Sequence, residues 1–190
     1  CRFAMQYYAN ASSSWLCNIS ITDKGGTAKP GQKLNFSYSR ASGLKTVTRL
    51  LALETPTSII DYGNLSVTQV SAAIERNVTN AGNINFNLTM RGFGGTNDSV
   101  TNDTVAMICD YGNISFGNHR YTVGLNVSMD NMKNLTNRSV DTNYTISQRT
   151  NDNNNGVRAD FNLTYWRLQI PLSVGGLCNG TIIFGATEVI

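Results

Sequence analysis

Apolar and polar residues alternate one by one along much of this chain, the period of two that sends successive side chains to opposite faces of an extended strand. Leu34, Phe36 and Tyr38 alternate with Asn35, Ser37 and Ser39, and Ile84, Phe86, Leu88 and Met90 alternate with Asn85, Asn87 and Thr89. The same holds for Val123, Leu125, Val127 and Met129 against Asn126 and Ser128, and for Phe161, Leu163 and Tyr165 against Asn162 and Thr164. In each run the pattern predicts the apolar set facing a core and the Asn and Ser/Thr set facing solvent. Runs rich in Val, Ile, Thr, Phe and Tyr place strands near residues 2–8, 15–22, 33–39, 46–53, 65–79, 84–91, 104–109, 120–129, 143–148, 160–170 and 180–189. No helical period competes with them.

Turn chemistry separates several of these runs, at Asp23-Lys24-Gly25-Gly26, at Asn80-Ala81-Gly82-Asn83 and between Asn151 and Gly156. Many short strands joined in this way predict an all-β fold, an antiparallel β-sandwich of immunoglobulin type stapled by disulfides. Thr55-Pro56-Thr57 marks the expected boundary, leaving residues 1–54 as a small N-terminal β-subdomain and residues 58–190 as the sandwich. The first piece is small for an independent core.

The polar half of the alternation has a second regularity. Fifteen Asn-x-Ser/Thr sequons begin at Asn10, Asn18, Asn35, Asn64, Asn77, Asn87, Asn97, Asn102, Asn113, Asn126, Asn134, Asn137, Asn143, Asn162 and Asn179. Chance placement of the same residues would give roughly five. Eleven of the fifteen have an apolar central residue, which on a strand would point inward while the acceptor points out. The expectation is a chain sheathed from end to end in covalent N-linked glycans, with no other cofactor. With 41% hydrophobic and only 14% charged residues, sugar would also supply hydration that the side chains do not.

The net charge of +3 is scattered, with no basic run, which argues against a nucleic-acid partner. No stretch approaches the ~18 apolar residues of a membrane span, and the chain reads as a processed, exported product or as the ordered part of one. Four cysteines fit an oxidising, extracellular compartment. Four thiols allow three pairings; the reading here is Cys1 with Cys17, closing a short hairpin, and Cys109 with Cys178, tying mid-chain to the final strand. Cys1 could alternatively carry an acyl anchor to the cell surface, but Arg-Phe-Ala-Met-Gln-Tyr-Tyr follows it with strand character rather than as a polar linker.

Catalytic and metal chemistry have little to work with. There are three Glu and one His, and the Ser-hydrolase, zinc-protease and P-loop signatures are absent. His119, beside Arg120, reads as a surface turn residue, and Gly92-Phe93-Gly94-Gly95 as a loop rather than a phosphate cradle. Asp98, Asp103 and Asp152 are the carboxylates that calcium could use, yet Asn151-x-Asn153-x-Asn155-Gly156 lacks the leading Asp and the terminal Glu of a hand-type loop. No metal site and no enzyme are expected.

One motif occurs twice: Ile60-Asp61-Tyr62-Gly63-Asn64-Leu65-Ser66-Val67 matches Cys109-Asp110-Tyr111-Gly112-Asn113-Ile114-Ser115-Phe116. Each glycine would allow a positive φ at a turn, and the two apolar positions after it would re-enter a core face. The first copy, followed by Arg76-Asn-Val-Thr-Asn-Ala-Gly-Asn-Ile-Asn-Phe-Asn-Leu-Thr, resembles secreted archaeal surface proteins built from immunoglobulin-like or TasA-like sandwiches. That resemblance covers residues 60–90, with weaker support from the second copy and from Cys178-Asn-Gly-Thr-Ile-Ile-Phe. It implies an extracellular filament of identical subunits, similar to a pilus, joined by donor-strand complementation. A monomeric surface adhesin or glycan-binding module is the alternative. Gly180 to Ile190, proline-free and nearly uncharged, must be paired either at home or in a neighbour. The N-terminal block, short of strands, is the other place where a neighbour could add one.

Overall fold

The computed structural model describes residues 6, 8–15, 19–21, 34–36, 45–55, 59–98, 104–149 and 160–189. Fourteen strands run through them in chain order: β1 (Ser12–Trp15), β2 (Ile19–Ile21), β3 (Leu34–Phe36), β4 (Lys45–Val47), β5 (Leu53–Glu54), β6 (Ile74–Asn80), β7 (Phe86–Gly94), β8 (Val105–Tyr111), β9 (Asn113–Ser115), β10 (His119–Val123), β11 (Lys133–Asn134), β12 (Val140–Ile146), β13 (Phe161–Leu168) and β14 (Gly175–Glu188). The fold is all-β, and its helical content among the described residues is two single 3-10 turns, Phe116–Asn118 and Met129–Asn131.

Two antiparallel five-stranded sheets form the body, in the orders β11-β10-β13-β6-β5 and β12-β7-β14-β8-β9. Their facing sides meet in one cluster that draws Val78, Tyr121 and Trp166 from the first sheet and Phe86, Leu88, Met90 and Ile146 from the second, with Leu135 between strands. Trp166 is fully buried and meets the Phe184 ring edge-on at 5.8 Å. A ring of this size contributes about 2–3 kcal/mol through burial alone. A smaller cluster of Ile114, Leu168 and Val174 closes one end.

Alternation places β7 as expected, with Phe86, Leu88 and Met90 inward. Gly92-Phe93-Gly94 extends β7 rather than forming a loop, because β14 pairs with it as far as Gly94. Two other runs depart from the pattern. β10 stops at Val123, where the chain turns at Gly124, so Leu125 is exposed and Met129 is buried from a 3-10 turn instead of a strand. In β13 the parity is reversed: Thr164, Trp166 and Leu168 face the core, and Phe161, Leu163 and Tyr165 are only half-buried on the other face. Both parities of this strand are apolar enough to serve, and Trp166 decides between them because it has the larger apolar surface to bury. The expected strand over residues 65–79 starts only at Ile74. Ser66 to Gln69 is a turn instead, in which Gln69 N–H donates to Ser66 O and Ser66 N–H to Gln69 Oε1.

β14 is a home strand, with residues 180–188 paired to β7 and residues 175–179 to β8. Residues 180–188 are therefore not a free donor. Cys178 lies opposite Cys109 in the β14–β8 register, and the two form a disulfide. This bridge joins neighbours within one sheet, while the buried Trp166 comes from the other sheet. In antibody domains the bridge crosses between sheets beside the tryptophan. Cys1 and Cys17 lie outside the described residues. In the N-terminal region β1 pairs with β4 and β2 with β3, two ladders that join neither large sheet. β5, just before the expected boundary at residues 55–57, pairs with β6 and so belongs to the sandwich.

Candidate functional site

Twelve sequon asparagines have described side chains; Asn35 stands on β3, and Asn18 and Asn102 lie outside the described residues. None of the twelve is buried. Asn10, Asn64, Asn97, Asn113, Asn126, Asn134, Asn143 and Asn179 are exposed, and Asn77, Asn87, Asn137 and Asn162 are half-buried. Seven stand on strands, namely Asn77, Asn87, Asn113, Asn134, Asn143, Asn162 and Asn179. They do not converge on a cleft but spread over both sheets, as a coat would and a catalytic constellation would not.

Two other asparagines are buried, Asn80 and Asn83, and neither begins a sequon. Asn80 Nδ2 donates to Ile84 O at 2.8 Å and Ile146 O at 3.3 Å, and its Oδ1 accepts from Gly82 N–H. Asn83 Nδ2 donates to Thr48 O and Ala9 O, and its Oδ1 accepts from Leu50 N–H at 2.7 Å. Every polar atom of both amides is thus satisfied, the condition for burying them cheaply. The turn expected at residues 80–83 is therefore also the dock that holds residues 48–52 against the sandwich. The missing Ser/Thr two residues on was the available signal that these amides have a different task.

Three sequons sit on edge strands of the two large sheets: Asn113 on β9, Asn134 on β11 and Asn143 on β12. The fourth edge, β5, carries none. Asn143 has φ +57° within an irregularity of the β12–β7 register, and its N–H donates to Asp141 Oδ1 at 2.7 Å. Asparagine tolerates this left-handed conformation better than most residues.

Asn162 differs from the others because the reversed parity of β13 puts it on the core-facing side. Its Nδ2 donates to Tyr144 Oη, and its Oδ1 accepts from Leu163 N–H at 2.8 Å. The hydroxyl of its sequon is fully buried: Thr164 Oγ1 donates to Arg76 O at 3.1 Å and accepts from Trp166 Nε1 at 2.9 Å. Thr89, the hydroxyl partner of Asn87, is also buried.

His119 is not the surface residue expected from its neighbours. It is 3% exposed, with Nε2 at 2.7 Å from Tyr62 Oη and its ring packed on Trp166. Burial lowers its pKa to about 4 and raises that of Tyr62, an effect the nearby Arg76 guanidinium partly opposes. His119 Nδ1 is buried without a partner. A neutral imidazole donating from Nε2 leaves only that acceptor unsatisfied, the less costly arrangement. This pair was hidden in the sequence because its members are 57 residues apart.

Asp98 accepts from Arg91 at 2.8 Å, which engages the one described carboxylate of the three considered for calcium; Asp103, Asp152 and residues 151–156 lie outside the described residues. Among the described residues no helix is long and apolar enough to cross a membrane. Comparison with protein families, with curated proteins and with solved structures finds no match to this chain.

Proposed function

We propose that this chain is the repeating structural subunit of an extracellular filament, coated in N-linked glycans, joined to its neighbours by strand addition and without catalytic activity. The observation that carries the reading is the sorting of asparagines as residues: no sequon asparagine with a described side chain is buried, whereas the two asparagines that are buried lie outside sequons. An Asn-rich surface with no link to sugar would have no reason to sort in this way. The in-sheet disulfide is compatible with export.

Assembly through the N-terminal side is supported by two features. Sugars on β9, β11 and β12 would obstruct pairing along three of the four edges of the large sheets, leaving the β5 edge open. The β1–β4 and β2–β3 ladders are two-stranded, and such pairs are marginal until another strand or layer covers them. Because residues 180–188 of β14 already pair with β7 at home, the N-terminal block is the better place for a neighbour to add a strand.

Electron microscopy of the purified native material, with intact-mass measurement, tests the proposal. The expected result is a filament with one chain per repeat and added mass at many sequons. A chain that stays monomeric when concentrated and binds a glycan would instead be a surface adhesin or glycan-binding module, and the filament reading would fall.

A further inference from the structure

The β6–β13 ladder carries two sequons on opposite faces, and they differ in how their polar atoms are engaged. Asn162 faces the core side, with both amide atoms and its sequon hydroxyl engaged. Asn77, one strand over, faces outward. Directly opposite it in register is Leu163, while Phe161 stands opposite Thr79 and Tyr165 opposite Glu75. Side chains directly opposite on one face have Cβ atoms about 5 Å apart, and diagonal neighbours about 7–8 Å, still within reach of aromatic rings. Asn77 is thus flanked across the ladder by an apolar row with an aromatic at each end. All three members of that row are half-buried, so each keeps apolar surface open to a further contact. Burial, and then the charge of Glu75 opposite it, raise the pKa of Tyr165.

A second observation concerns the amide itself. Asn77 Oδ1 is buried without a hydrogen-bond partner, the only sequon amide among the described residues in that state. A buried acceptor left alone is costly, so the Asn77 amide gains by turning outward to where a donor can meet it. A pyranose ring offers both things the place lacks, a C–H face for aromatic and aliphatic side chains and hydroxyl donors around its rim.

We propose that the N-linked glycan of Asn77 lies down across β13, its first ring packed on Leu163 between Phe161 and Tyr165, so that the sugar serves as an added outer layer on this sheet. The proposal rests on the N-glycan reading above. It assigns this one sugar a structural role that the sugars on exposed turns and edges do not share. Asn162, engaged as a clamp to Tyr144, stays bare.

The test compares the chain made in a host that attaches N-glycans with the same chain made in one that does not. Thr79→Ala removes acceptor competence at Asn77 while leaving the asparagine in place, and Asn77→Gln does so by a second route. Ser115→Ala silences the exposed edge site at Asn113 as a control. In the glycosylated protein, Thr79→Ala and Asn77→Gln are each expected to lower the melting midpoint by about 2–4 °C more than in the bare protein, with no such difference for Ser115→Ala. Leu163→Ser should remove that extra loss. Equal losses in both hosts, or an Asn77 found bare while Asn64, Asn113 and Asn179 carry sugar, would overturn the seat and leave the coat standing. Bare asparagines at those exposed sites as well would overturn the glycan reading itself, and the seat with it.

Discussion

The two copies of Asp-Tyr-Gly-Asn-φ-Ser, at residues 61–66 and 110–115, make the same turn and then do different things with it. Both glycines take positive φ, +67° at Gly63 and +74° at Gly112, and both following asparagines are exposed. The next apolar residue of each, Leu65 and Ile114, packs into the same small core cluster. The tyrosines part company. Tyr62 packs into both clusters and bonds His119, whereas Tyr111 is 75% exposed. The aspartates differ too: Asp61 Oδ1 accepts from Gly63 N–H within its own turn, and Asp110 Oδ2 accepts from Leu177 N–H on β14. A local motif therefore specifies backbone shape and side-chain parity, while the partner on the far side of the strand decides what each side chain is for.

The comparison breaks most visibly at its tyrosines. Tyr62→Ala should cost about 4 kcal/mol in urea unfolding, through the cavity and the stranded His119 nitrogen, whereas Tyr111→Ala should change stability by less than about 0.5 kcal/mol. Equal losses would mean that the first copy is not the one built into the core. The next effect belongs to His119 alone. Its folded pKa of about 4 lies below the ordinary value near 6.5, so between those values the unfolded chain binds more protons than the folded one. Its contribution is complete above about pH 6.5 and is lost as pH falls toward 4, up to about 3 kcal/mol. Unfolding midpoints measured from pH 7 to pH 4 should follow that course, and His119→Gln should flatten it.

The glycines sharpen the comparison further. Alanine at Gly63 should cost about 1 kcal/mol for the left-handed backbone alone, since nothing lies within 4 Å of its Cβ position. At Gly112 the added atom would stand 2.7 Å from Ser173 O, and about 2–3 kcal/mol is expected. The smallest effect is at the serines. Ser66→Ala and Ser115→Ala should each leave stability within about 0.5 kcal/mol while removing one glycan's mass from a glycosylated preparation. A variant that loses stability but no mass would show that the serine serves the turn rather than the sugar.

How much of this was legible in the sequence follows from what alternation can encode. β7 was readable because one parity is apolar and the other is Asn and Thr, so burial has only one choice. The Cys109–Cys178 bridge was readable because few pairings were available and β14 carries the partner. β13 was misread because Phe161, Leu163 and Tyr165 compete with Trp166 and Leu168 for the core, and the sequon pattern favoured the wrong set. Thr164 could be buried because Arg76 O, opposite it in the ladder but 88 residues away in the chain, and Trp166 Nε1, two residues along β13, satisfy it, and the first of these lies outside any local window. His119 was misplaced for the same reason: its solvent is replaced by Tyr62 and Trp166, which no local window connects. Asn80 and Asn83 were assigned correctly to a turn, but their buried carbonyl partners at residues 9, 48 and 146 required the fold.

The position of β14 bears on the order in which the molecule is made. β7 and β8 follow one another in the chain but do not pair as a ladder, since each pairs with a different half of β14. As the chain emerges from a ribosome or a translocation pore, the β8–β9 hairpin has no further strand to pair with, and that sheet stays incomplete until its keystone arrives. Any enzyme that tags asparagines during that interval meets an extended thread, on which Thr89 and Thr164 are as reachable as Ser66. Sites closed in the finished molecule are then closed by timing, and the pattern of modification becomes a record of whether tagging or keystone came first.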